Sequence, residues 1–223
     1  DKNIFLLKGV TGSGKTEVYM NLVSYMLLFE KSSLILVPEI ALTPQMIERF
    51  KGRFGKDVAV FHSRLSDGER YDEWYRVKND QVKVVIGARS AIFLPFNDLG
   101  LIVVDEEHES SYKSDMNPKY NTIEVCEYLS LLKNCKVVLG SATPSVVSFY
   151  KALKGNYELI ELKKRVNNGE LPNVSIVDMR EELKSNNKTM FSRDLYLKIK
   201  DRLEKKEQII LFLNRRGFSS FVS

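Results

Sequence analysis

The sequence predicts an α/β fold built on a doubly wound, mainly parallel sheet, and three observations carry that expectation. Short runs of continuous apolar residues recur through the first two thirds of the chain. Stretches with a 3.6-residue apolar period separate them, and a glycine-rich turn stands between the first strand and the first helix. Strands that are apolar at every position are covered on both faces, as the strands of parallel sheets are. The ligands of such sheets bind beyond the carboxyl ends of the strands.

The elements follow in order. Ile4–Leu7 reads as a buried strand. Residues 16–30 read as an amphipathic helix with Val18, Leu22 and Met26 on one face and Tyr19, Val23 and Leu27 beside it. Ser33–Val37 is the next strand, ended by Pro38, and Pro44 opens a helix through about Phe54. Val58–Phe61, Val82–Ile86, Leu101–Val104 and Lys136–Leu139 are further strands, with helical stretches around 66–78 and 121–133. After about Tyr157 the texture changes, and the polar run 163–173, with Gly169 and Pro172, reads as a linker. A strand (Val174–Val177), a polar loop (181–191), a helix (about 193–206) and a strand (Ile209–Leu213) should follow. The expected organisation is a domain over 1–162, a linker over 163–173, and over 174–223 the incomplete beginning of a second α/β domain.

Bulk properties bound the function only loosely. Of 223 residues 43% are apolar, enough for a packed core, and 34 basic residues against 29 acidic ones leave a formal charge of +5. That excess is compatible with a polyanionic partner without requiring one. Two cysteines, Cys126 and Cys135, with no C-x-x-C pair, read as reduced thiols rather than a disulfide scaffold or a zinc site. His62 has no second ligand spaced near it and reads as a structural residue. No apolar run approaches a membrane span, and no basic stretch with an apolar core opens the chain, so no membrane partner and a cytoplasmic location are expected. The abrupt start without Met and the abrupt end read as those of a fragment.

Gly9-Val10-Thr11-Gly12-Ser13-Gly14-Lys15-Thr16 matches G-x-x-x-x-G-K-[ST] with a strand before it and a helix after it. Glycines let backbone N–H groups curl around phosphate oxygens, and the positive end of the helix points at the same anion. The cofactors expected are ATP and Mg²⁺. Gly9, Thr11, Gly12, Ser13, Gly14, Lys15, Thr16 and Glu17 are the candidate nucleotide residues, with Lys15 on the β/γ-phosphates and the Thr16 hydroxyl on Mg²⁺. Leu101–Val104 delivers Asp105 and Glu106 at a strand end: Asp105 to hold Mg²⁺, directly or through water, and Glu106 to polarise the attacking water, with His108 close behind as a further catalytic candidate.

Asp105-Glu106-Glu107-His108, followed by Glu109-Ser110-Ser111-Tyr112-Lys113, resembles the bacterial replication-restart (PriA, primosomal protein N′) family of superfamily 2 DNA helicases. The resemblance extends through GVTGSGKTEVYM (9–20), LVPEIALTPQ (36–45), FHSRLSDGERYDEW (61–74), VVIGARSAIFLPF (84–96), GSATPS (140–145) and LFLNRRGF (211–218), in the family's order. It implies a RecA-like P-loop NTPase domain followed by the start of a second RecA-like domain, with ATP between the two and 3′-to-5′ movement on DNA. It also implies remodelling of stalled forks, with forked DNA, primosome proteins and single-stranded-DNA-binding proteins as partners. Zinc is expected in full-length members, in a cysteine-rich insertion whose ligands are not in this chain. Nor does the chain carry the arginine finger; Arg215 and Arg216 belong to an early block of the second lobe. Loss of such a finger costs ~10³–10⁵ in rate, so little turnover is expected of these residues alone.

The remaining candidates concern DNA and its coupling to ATP. Thr43, Arg89 and Ser90 lie on loops leaving strand ends, where side chains and backbone N–H groups can grip phosphates. Arg89 suits a surface ion pair equally well. Tyr112, Lys113 and Tyr120 resemble the family's aromatic-rich loop, suited to stacking on unpaired bases, with core packing as the alternative for Tyr120. The hydroxyls of Ser141 and Thr143 can sense the γ-phosphate, although an ordinary strand-to-helix turn, with Pro144 early in the helix, fits them too. Besides a helicase, a duplex translocase and a nucleotide-gated recruitment module remain open; Glu106, poised for water, argues against the last.

Overall fold

A computed structural model of the chain describes residues 2–165 and 173–212. It divides into two compact units, Asp1–Gly169 and Glu170–Ser223. In the first unit, β1 (Ile4–Gly9), β2 (Ser32–Leu36), β3 (Val58–Phe61), β4 (Val84–Gly87), β5 (Leu99–Asp105), β6 (Lys136–Ser141) and β7 (Glu158–Leu162) form one seven-stranded sheet. Its order is β3-β4-β2-β5-β6-β1-β7 and every pairing is parallel. Five helices cover it: α1 (Lys15–Leu27), α2 (Pro44–Phe54), α3 (Asp67–Lys78), α4 (Thr122–Lys133) and α5 (Val146–Leu153).

The period-2 geometry of the strands sorts their side chains onto two cores. Leu7, Ile35, Val84, Ile86, Leu101 and Val103 meet Tyr19, Met20 and Val23 of α1 and Phe50 of α2 on one face. On the other, Leu6, Leu34, Leu36, Ile102, Val104 and Leu139 meet Val77 of α3, Cys126 of α4 and Ala152 of α5. Of the two apolar lines expected on α1, Val18, Leu22 and Met26 with Tyr19, Val23 and Leu27 beside them, Tyr19 and Val23 are fully buried together with Met20, which the period did not single out.

Local chemistry sets the helix ends. Thr43 accepts from the Met46 N–H to cap α2, and Ser66 with Glu69 closes a capping box on α3. Asn121 and Ser145 cap α4 and α5, so Pro144 precedes the cap of α5 and stands outside the helix. The first helix ends at Leu27, three residues earlier than its apolar pattern, in a turn where Glu30 takes φ 55°. Strand β7, where only a change of texture was legible, pairs with β1 as an edge strand, and Glu158 and Glu161 break up its apolar residues, which hides it from a search for continuous apolar runs. Cys126 and Cys135 are free and buried; burial pushes the Cys126 thiol well up and that of Cys135 to about 11.

The second unit holds α6 (Met179–Lys184), capped by Asp178, and α7 (Arg193–Glu204), capped by Ser192. The expected strand Val174–Val177 is not formed, and neither is a strand over Ile209–Phe212; Leu213 lies outside the described residues. A β-branched run becomes a strand only when a neighbour takes its N–H and C=O groups, and no strand is present in this unit among the described residues. Ile176 and Ile210 are accordingly 96% and 93% exposed. The stretch expected to be a loop over 181–191 begins with the last turn of α6. Arg215, Arg216 and most of the block 211–218 lie outside the described residues.

Ile102 in mid-β5 is fully buried against the layer of α3, α4 and α5. Ile102→Ala should lose roughly 2–5 kcal/mol, read as a lower urea midpoint with an unchanged slope. A loss under about 0.5 kcal/mol would contradict the central placement of β5.

Candidate nucleotide site

The loops that leave β1, β5 and β6, three adjacent strands, meet at the carboxyl edge of the sheet. The first is the glycine-rich loop. Gly12 and Gly14 take φ 77° and 87°, and the Ser13 N–H donates to the Val10 carbonyl at 2.9 Å, which curls the backbone ahead of α1. A Cβ on Gly9 would stand 2.5 Å from Ser13 Oγ and 3.0 Å from Lys15 Cγ, so the strand must end in glycine for the loop to close over it. Ser13 Oγ is buried with no hydrogen-bond partner. An orphaned hydroxyl in a cradle at a helix N-terminus fits a phosphate oxygen.

Lys15 Nζ donates to the Gly9 carbonyl at 2.9 Å and lies 3.9 Å from Glu106 Oε1. Glu106 stands just past β5 at φ 48°, a left-handed conformation that costs a non-glycine residue about 1 kcal/mol and is retained where geometry demands it. Its other oxygen is 3.6 Å from His108 Nδ1, and that nitrogen is 2.8 Å from Ser141 Oγ at the end of β6. The Thr143 N–H donates to the same hydroxyl at 3.0 Å. Lys15, Glu106, His108, Ser141 and the backbone of Thr143 thus form one polar chain across three strand ends. Thr16 is half-buried in the first turn of α1.

Asp105, the last residue of β5, accepts from the Tyr19 hydroxyl at 2.9 Å, and its carbonyl accepts from the Tyr112 hydroxyl at 2.6 Å. Burial raises its pKa, while the Tyr19 hydrogen bond and the Lys15 charge pull the other way. A hydroxyl (Thr16) and a carboxylate (Asp105) flanking a phosphate cradle can hold a divalent ion that takes its other ligands from phosphate and water. Among the described residues no cluster of three His, Cys, Asp or Glu forms a self-sufficient metal cage.

The residues singled out for DNA lie mainly on the loops leaving β2, β4 and β5, beside the phosphate cradle. Several are already engaged with protein. Tyr112 is 2% exposed, so its ring offers no face to a base; its hydroxyl also donates to the Leu36 carbonyl at 3.1 Å and so braces β2 against β5. Arg89 donates to the carbonyls of Ser111 and Lys113, tying the β4 loop to the segment that follows Asp105. Thr43 is exposed, its hydroxyl oxygen occupied as the α2 cap. Tyr120 is half-buried, edge-on to Phe93 at 4.9 Å, while Ser90 and Lys113 are exposed. Glu17 faces α2, pairing with Arg53 and, at 3.9 Å, with Arg49.

Two residues were not singled out from sequence. Tyr19 looked like one apolar position among several. Glu107 is 4% exposed and accepts from the Ser145 N–H (2.6 Å), the Ser145 hydroxyl (3.1 Å) and the Ser148 hydroxyl (2.8 Å), tying the turn after β5 to the N-terminus of α5. An acidic residue whose hydroxyl partners lie 38 and 41 residues away carries no local signal, so only proximity in the fold reveals it.

The model of the DEAD/DEAH box helicase family matches residues 1–150. The chain is homologous to the replication restart protein PriA of Bacillus subtilis, 55% identical over 222 residues, and to that of Synechocystis, 48% identical over 223. These alignments take in 100% and 98% of the chain, which spans 28% and 27% of the length of those relatives. Among solved structures it is similar to RecG bound to a three-way DNA junction (TM-score 0.53, 25% identity, 76% of this chain and 22% of that one). The Hef helicase domain of Pyrococcus furiosus (TM-score 0.52, 22% identity, 72% and 35%) shares the fold, a RecA-like helicase lobe. No helix among the described residues is long and apolar enough to cross a membrane.

The electrostatics of Asp105 predict a stability signature in metal-free buffer. Its raised pKa means that the folded state is penalised once the carboxylate ionises, so the penalty is absent below the ordinary aspartate range and complete above the raised value. Asp105→Asn should therefore melt above wild type at pH 8, the gap closing as pH falls through that window; a gap independent of pH would refute the cause. Glu107→Ala strips the acceptor from three donors and should cost about 1–3 kcal/mol in chemical denaturation.

Proposed function

The chain belongs to the DEAD/DEAH box helicase family, and on that premise we propose that it is the ATP-binding lobe of a DNA helicase that restarts replication. The observation that carries this reading is the polar chain from Lys15 through Glu106 and His108 to Ser141, which joins the phosphate loop to two neighbouring strand ends. In it the backbone N–H groups of the loop and Lys15 bind the β- and γ-phosphates, with Thr11, Gly12, Ser13 and Gly14 shaping the cradle. Thr16 and Asp105 hold Mg²⁺, whose part is to neutralise phosphate charge. Glu106, 3.9 Å from the Lys15 ammonium, orients the attacking water. His108, through Ser141 and Thr143, carries the state of the γ-phosphate to the β6–α5 turn.

On the neighbouring loops Lys113, Ser90 and the remaining donors of Arg89 contact the DNA backbone, and Tyr120 offers the aromatic edge of the site. Tyr112 acts from within, bracing the two sets of loops. Likeness to a protein bound to a three-way DNA junction favours branched DNA as the substrate. Similarity to the replication restart proteins supports 3′-to-5′ unwinding at stalled forks in the bacterial cytoplasm, with primosome and single-stranded-DNA-binding proteins as partners. The chain spans 28% of such a relative's length, so these activities are read from the whole relative.

Titration of a fluorescent ATP analogue into the chain tests the site. Binding should saturate, tighten with Mg²⁺, and weaken about 10–100-fold in Lys15→Ala, the range expected when a charge-assisted hydrogen bond of about 1.5–3 kcal/mol is lost. Binding indifferent to Lys15 in folded protein would overturn the assignment.

A further inference from the structure

We infer that Tyr19 is a positioning residue that fixes the Asp105 carboxylate for its divalent cation, and that Gly140 is glycine to make room for the Tyr19 hydroxyl. The inference rests on the nucleotide reading above and concerns residues to which that reading gives no role. Tyr19 is fully buried in the face of α1 that packs on the sheet, where a phenylalanine would fill the same space. What tyrosine adds is one hydroxyl, and that hydroxyl donates to Asp105 Oδ1 at 2.9 Å.

The strand beside it is shaped around the same atom. A Cβ on Gly140 would stand 1.7 Å from the Tyr19 hydroxyl and 2.8 Å from the ring carbon that bears it. No other residue fits there while the bond to Asp105 stands. Meanwhile the Tyr112 hydroxyl holds the Asp105 carbonyl, so the backbone and the side chain of Asp105 are gripped by separate phenols. Both donors are neutral. A lysine or arginine would orient the carboxylate equally well but would repel the incoming cation, whereas a phenol orients it and leaves its charge for the metal. Because Tyr19 stands four residues beyond Lys15 on the same helix, the phosphate loop and the metal carboxylate are held in one rigid frame.

Loss of such an outer partner typically weakens metal affinity about 10–100-fold. In the full-length protein, the Mg²⁺ concentration that half-saturates binding of the fluorescent ATP analogue should rise by that factor in Tyr19→Phe. Affinity for the analogue in EDTA should be unchanged. Gly140→Ala, which displaces the hydroxyl with Tyr19 still present, should move the Mg²⁺ midpoint in the same direction. Tyr157→Phe, which removes another buried phenol bonded to a different carboxylate, Glu127, should lower the melting temperature and leave the midpoint in place. The inference is overturned if Tyr19→Phe keeps the wild-type midpoint, or if it loses analogue affinity equally with and without Mg²⁺. Wild-type protein whose binding ignores Lys15 would instead overturn the nucleotide reading itself.

Discussion

A carboxylate at the end of a buried strand is the constraint on which the rest of the site depends. Asp105 closes β5, the middle strand of the sheet, where burial opposes its charge. The surroundings answer that cost with neutral donors and one nearby cation rather than with a tight ion pair. Tyr19 reaches it from the helix behind the phosphate loop, Tyr112 from the segment that follows β5, and Lys15 contributes charge without direct contact. A tight salt bridge would have quenched the group; hydroxyl donors keep it oriented and available.

The position of β5 gives this arrangement its reach. On one side lie β6, which ends in Ser141, and β1, which leads into the glycine-rich loop; on the other lie β2 and β4, whose loops carry Thr43 and Arg89. Three ties cross these boundaries. Tyr112 joins the backbones of β2 and β5, Arg89 holds the segment after β5 to the loop after β4, and Glu107 holds the same turn to α5. A displacement of the turn after Asp105 would therefore be felt at both halves of the edge. In a parallel sheet all strand ends of one polarity lie on one side, so a phosphate site and a polymer site can be adjacent without any long connection.

How much of this was legible in the sequence differs by kind of residue. The glycine-rich loop, Asp105 and Glu106 were readable because their chemistry is local: glycines permit positive φ, a lysine follows at fixed offset, and the acids sit on an apolar run. The six strands of the sheet from β1 to β6 were readable because continuous apolar sequence has few other stable homes. Strand β7 was not, since Glu158 and Glu161 interrupt its apolar run. The two β-branched runs of the second unit misled for the opposite reason: propensity describes a segment, whereas a strand is a relation between segments.

The sequence by itself thus determined the fold class, the glycine-rich turn between β1 and α1 and the acidic pair at the end of β5, all features set by residues near one another along the chain. Tertiary structure alone decided that Tyr112 is a buried brace rather than a stacking platform, that Arg89 spends donors on backbone carbonyls, and that Tyr19 and Glu107 belong to the site. It also decided why Gly140 is glycine. Each of these depends on which face of a helix or turn meets the ends of the strands, and residues dozens of positions apart acquire a shared chemistry only when packing brings them within hydrogen-bonding distance.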